Sequence, residues 1–211
     1  MENPVIIFGA KGLGKVAMDI FQSNGVEVYG FLDDDKSLHN QAIGEYTILG
    51  TTDDDGFLKF IGNKCEAFVA IDETKVRQSL VKMLNERKVM PVNAVHPKAV
   101  IADSASIAHG NLINAFAVVS AFAKVGNHCI IHSKALIDYE CEIGDFVQVG
   151  AGSTINSNVI IGKGAFIGTG VTIVSGVKIG KNARIGAGSV VVGDVKDNAT
   201  MFGYPAQEVK V

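Results

Sequence analysis

One periodicity governs the second half of this 211-residue chain. Starting at Ile101 and stepping by six, sixteen consecutive positions through Val191 are Ile or Val without a break. Two positions before each stands a small residue or Val, as at Ala117, Cys129, Ser153 and Val159. The residue after each is often Gly: Gly126, Gly144, Gly150, Gly162, Gly168, Gly180 and Gly186. Chance does not sustain such a pattern over this length. With 24 Gly against 4 Pro, the composition suits tight turns rather than disorder.

A period of six has a simple physical reading. Each hexad makes a short strand and a turn, with the large aliphatic residue inward and the small residue filling the narrow space beside it. Gly or a small polar residue after the aliphatic is expected to relieve the corner. Stacked coils bury a continuous core that no single coil buries alone. The pattern predicts a parallel β-helix of hexapeptide repeats; the period does not show its hand. Cys129 and Cys141 occupy the small inward position and read as buried apolar residues.

The first half follows another rule. "PVIIF", "VEVYGFL", "AFVAI" and "PVNAV" read as strands. "KVAMDIFQS" and "ETKVRQSLVKMLNER" read as helices, and "GAKGLG" as a loop. That order predicts a small α/β unit with a mostly parallel sheet. The loop from Gly9 to Gly14 follows a strand and opens a helix, so backbone N–H groups and the helix dipole can face a phosphate. Its order is G-x-x-G-x-G, with Lys11 where a dinucleotide fingerprint needs its middle glycine, which argues against nicotinamide or flavin. Asp33 and Asp34 close the second strand.

A formal net charge of −3 and a pI near 5.9 give no basic footprint for nucleic acid. "MENPVIIFG" carries no secretory signature, and no apolar run is long enough for a membrane span. Three cysteines without a CxxC pair point to reduced thiols and a cytoplasmic protein. No His, Cys and acid cluster has metal-site spacing, so no metal is expected.

In order and spacing, "FGAKGLGKVAMDI", "GFLDDD", "VAIDETKVR", "HPKAV", the hexads and the closing "GYPAQEV" span nearly the whole chain. Together they resemble the left-handed β-helix sugar acyltransferases of the sialic acid O-acetyltransferase and bacillosamine N-acetyltransferase branch. The resemblance implies an α/β N-terminal Rossmann-like domain over 1–95 for a nucleotide-linked sugar. It implies an all-β left-handed parallel β-helix of hexapeptide repeats over 96–195 for acetyl-CoA, a tail over 196–211, and a homotrimer with active sites between subunits. Gly9, Lys11, Gly12, Leu13, Gly14, Asp33 and Asp34 would bind the nucleotide sugar. Ser157, Gly168, Thr169, Gly186, Ala187 and Gln148 would meet acetyl-CoA.

The chain departs from that family where the proton moves. Tyr139 stands at the family's histidine, Gln148 at a second histidine, and His132 where the family tends to have Asn. Tyrosine is a poor base near neutrality, because its phenol ordinarily titrates at about 10. Glu140 remains as a carboxylate. His132 lies on a different corner from Tyr139, so it can serve that position only across a subunit interface. The expected catalytic set is His132, Tyr139 and Glu140. Two classes stay open: an acetyltransferase, with an amine acceptor favoured over a hydroxyl, and a binding or scaffold protein that has lost the chemistry. A neutral amine attacks a thioester without prior loss of a proton, whereas a hydroxyl needs a base in the transition state.

Overall fold

The computed structural model describes residues 3–209. The chain divides into two compact units, 1–97 and 98–211.

In the first unit, apolar runs form the strands, and the central run Val5–Phe8 is buried throughout. β1 (Val5–Phe8) pairs in parallel with β2 (Val28–Leu32) and with β5 (Glu66–Val69). β2 pairs in parallel with β4 (Tyr46–Gly50), and β3 (Ala42–Ile43) closes the edge as an antiparallel partner of β4. The order is β3-β4-β2-β1-β5. Helix α1 (Gly12–Ser23) buries Leu13, Ala17, Ile20 and Phe21, the spacing of one helical face. Phe21 meets Phe68 of β5 edge-on at 5.6 Å. Asp54 caps the short α2 (Asp55–Leu58), and α3 (Thr74–Glu86) buries Arg77, Leu80, Val81 and Leu84. α1 starts three residues before the expected "KVAMDIFQS", so Gly12, Leu13 and Gly14 belong to the helix and not to the loop.

In the second unit each hexad forms a two-residue strand, and partners lie one coil of eighteen residues apart, as in Val119↔Ile137 and Ile131↔Val149. Three hexads close one coil, giving three flat faces. The first face stacks Val100–Ile101 through Val190–Val191, and the second Ser106–Ile107 through Lys178–Ile179. The third face runs from Leu112–Ile113 through Arg184–Ile185. Thr200–Gly203 extends that third face and Ala206–Glu208 folds back on it, so part of the expected tail is sheet.

The glycine expectation needs correcting. The residues at positive φ stand three places after the inward aliphatic and include Phe122, Lys134, Glu140 and Phe146 as well as glycines. The glycines directly after the aliphatic do something else. A Cβ on Gly150 would stand 2.5 Å from the backbone of Gly168, and one on Gly168 would stand 2.6 Å from Ala187. They are small because the next coil crosses them closely.

Candidate functional site

The loop Gly9–Lys11 leaves the carboxyl end of β1 and enters α1. The first turn of α1 carries neither a capping side chain nor an acidic residue, so its N–H groups keep their affinity for an anion. Within it Gly12 and Gly14 play opposite parts. A Cβ on Gly12 would meet nothing within 4 Å, whereas one on Gly14 would stand 2.0 Å from the Gly9 carbonyl oxygen. Gly12 leaves space for a ligand, and Gly14 lets helix and loop touch. Leu13 has its side chain in the core, which leaves only its backbone for a ligand.

The acidic pair divides likewise. Asp33 is buried, and its carboxylate accepts from the N–H of Ala10 at 2.8 Å and of Asp35 at 2.9 Å. It braces the loop. Asp34 accepts from both the N–H and the hydroxyl of Thr52, at 2.8 and 2.9 Å. It faces a groove of about 410 Å³ lined also by Asp53, Lys75, Ser79 and Met83. Lys11 pairs with Asp35 at 3.2 Å. Hydrogen bonds from Ser37, with help from Lys11, hold the Asp35 carboxyl below its ordinary value. A larger hollow of about 670 Å³ lies at the other end of the sheet, by Asn3, Glu66 and Asn93, away from these loops.

In the β-helix the expected residues fall into two columns. His132, Gly168 and Gly186 stack on the corner between the third and first faces, eighteen residues or a multiple apart, with Thr169 and Ala187 beside them. Tyr139 and Ser157 stack on the corner between the first and second faces, with Glu140 next to Tyr139. Tyr139 is exposed, and its N–H donates to the Asp138 carboxylate at 2.8 Å. Glu140 is exposed at φ 58°. The Ser157 hydroxyl donates to that of Ser175 at 3.1 Å. Gly186 is covered, since the Phe202 ring occupies the space where its Cβ would be.

His132 and Gln148 meet. The Gln148 amide nitrogen lies 3.0 Å from His132 Nε2, and both side chains are half-buried. Gln148 pairs with Ile130 across one coil, which makes His132 its diagonal neighbour on the outer surface. The resemblance assigns Gln148 to acetyl-CoA and does not reveal this contact. The signal in the sequence is a spacing of sixteen, one coil less two residues.

The first face, between the two columns, has Val100, Val118, Leu136, Thr154, Thr172 and Val190 outward, with no charge among them. The second face shows Lys124, Glu142 and Lys178. Exposed Phe116 and Phe122 flank the first face at its corners.

The family model of the PglD N-terminal domain matches residues 4–84, and that of the bacterial transferase hexapeptide matches 140–175 and 158–193. A histidine-to-asparagine variant of perosamine N-acetyltransferase from Caulobacter crescentus, solved with CoA and GDP-perosamine, superposes with a TM-score of 0.92 at 29% identity, over 100% of this chain and 99% of that one. The chain thus carries a PglD-type N-terminal domain and bacterial transferase hexapeptide repeats, and over its whole length it is similar to sugar N-acetyltransferases built on a β-helix. The acetyltransferase domain of PglB from Neisseria gonorrhoeae, with acetyl coenzyme A, is similar to this chain at 26% identity and TM-score 0.92, covering 99% of this chain and 100% of that one. WeeI from Acinetobacter baumannii follows at 27% and 0.87, covering 98% and 99%. No curated protein matches the sequence significantly. Among the described residues, no cluster of three or more His, Cys, Asp or Glu fits a metal, and no helix is long and apolar enough to cross a membrane.

Proposed function

We infer that this chain transfers the acetyl group of acetyl-CoA to the amino group of a nucleotide-linked sugar. The observation that carries this is the whole-chain likeness to an N-acetyltransferase holding CoA and GDP-perosamine. The uncapped α1 terminus, the open space at Gly12 and the groove beside Asp34 support a nucleotide-sugar site.

The active form is a homotrimer in the cytoplasm. Buried, free cysteines fit that compartment. The uncharged first face with its two exposed phenylalanines is the surface to bury between subunits. A cyclic contact through that face joins one corner of a subunit to the other corner of the next. His132, Gly168, Thr169 and Ala187 of one subunit then line a cleft with Tyr139, Glu140 and Ser157 of its neighbour, and acetyl-CoA lies along it.

In the reaction the amine lone pair attacks the thioester carbonyl carbon, and the C=O electrons move to oxygen. The tetrahedral species collapses with the C–S bond breaking toward sulfur. The ammonium proton passes to His132, assisted by Glu140 of the neighbour, and on to the CoA thiolate. Tyr139 donates a hydrogen bond. Gln148 steers the imidazole. Its amide, 3.0 Å from Nε2, can donate to that nitrogen or, turned by half a circle, accept from Nε2–H, so it holds the ring in either tautomer.

The departure at Tyr139 and Gln148 favours a second reading, a scaffold that binds both ligands without chemistry. Steady-state acetylation of GDP- and UDP-linked amino sugars decides. Turnover that is lost in His132→Asn supports the enzyme. Binding without turnover in the wild type, with turnover appearing in Tyr139→His, supports the scaffold.

A further inference from the structure

Arg77 is among the largest fully buried side chains, at 1% exposure. A guanidinium is always charged, and burying it is costly unless its donors are used. Here Nη1 donates to the carbonyl oxygens of Ile71 at 2.6 Å and Asp72 at 3.0 Å. Those carbonyls lie where the chain leaves the carboxyl end of β5 on its way to α3. β5 neighbours β1, and the two exit loops touch. The Ala70 N–H donates to Phe8 O at 2.8 Å, and a Cβ on Gly9 would stand 2.6 Å from Ala70 O and 2.7 Å from Ile71 Cδ1. Gly9 itself sits at φ 106°, which favours glycine. The strand after β1 in the chain lies on one side of it, and β5 lies on the other. In such sheets the crevice at the carboxyl ends, where the order reverses, is where ligands bind.

We propose that Arg77 is a positioning residue for the nucleotide sugar. It pins the Ile71–Asp72 backbone as one wall of the crevice whose other wall is the Gly9–Gly12 segment. It sets the affinity for the nucleoside diphosphate through that wall and leaves acetyl-CoA binding alone. The proposal rests on the nucleotide-sugar reading above.

The test is calorimetry on the full chain with GDP and UDP as probes and CoA as a separate ligand, with thermal melting as the folding control. R77Q is expected to weaken whichever of GDP and UDP binds the wild type by about tenfold or more, a loss in the range of charge-assisted hydrogen bonds, with CoA affinity unchanged. R77K keeps the charge but not the planar fork, and is expected to fall between wild type and R77Q. Hydrogen exchange of residues 71–73 should quicken in both variants. Folded R77Q with wild-type nucleotide affinity overturns the proposal, and so does a parallel loss of CoA affinity. Should R77Q fail to fold, R77K with wild-type affinity and exchange overturns it. A wild type that binds CoA but neither GDP nor UDP overturns the nucleotide reading and this proposal with it. A wild type that binds while R77Q is unchanged overturns this proposal alone.

Discussion

Two glycines separated by one residue should answer the same substitution in opposite ways. At Gly14 a methyl group would stand 2.0 Å from the Gly9 carbonyl oxygen and 3.0 Å from its carbon, both backbone atoms. Neither is the far end of a flexible side chain, so α1 or the loop must shift. Overpacking of this kind costs roughly 1–3 kcal/mol. For a unit of this size that is a fall in Tm of about 5–20 °C. At Gly12 a methyl group meets nothing within 4 Å, and φ there is ordinary. Replacing glycine by alanine in a helix gains up to about 1 kcal/mol, so Gly12→Ala should melt at or slightly above wild type. The same methyl group occupies the approach to the first turn of α1. Gly12→Val fills that space further, and its affinity for a nucleoside diphosphate should drop at least about tenfold, or about 1.4 kcal/mol. The assay pairs thermal melting with calorimetry on GDP and UDP. Gly14→Ala melting with wild type would refute the packing argument. Folded Gly12→Val with undiminished nucleotide affinity would refute the assignment of the crevice.

His132→Asn should lower kcat by roughly 10²–10⁴, the usual range for general base catalysis, while CoA affinity holds; full turnover in this variant with loss in Glu140→Gln assigns the base to the carboxylate. Light scattering should give about 67 kDa, three times the chain mass of 22.2 kDa, as expected of a closed cyclic trimer, and Leu136→Glu on the first face should dissociate it. Burial first of all pushes the Cys65 and Cys141 thiols up, so both should resist alkylation in the native protein near pH 8. Because their folded-state values are raised, their share of stability is intact below the unfolded thiol pKa and is lost as pH rises above it, which alkaline melting curves should show.

How much of the site was legible depended on the range of each interaction. The six-residue period announced the β-helix because strand, inward side chain and turn are decided within a few neighbouring residues. The strand–loop–helix around Gly9–Gly14 was legible for the same reason, although the helix starts earlier than its apolar spacing suggested. Tyr139 and His132 could be put on different corners by counting hexads. The period alone did not show which side chains touch across coils. The closure of three hexads into eighteen residues puts His132 against Gln148, and Tyr139 on the opposite edge of the first face from Gly168. Asp33 read as a ligand residue; that its carboxylate accepts from the Ala10 and Asp35 N–H groups was not legible. Arg77 read as part of a helix, yet it reaches back to Ile71 and Asp72. Local pattern fixes which way a side chain points, but its partner is chosen by whatever other segment the fold brings within about 3 Å, the reach of a hydrogen bond.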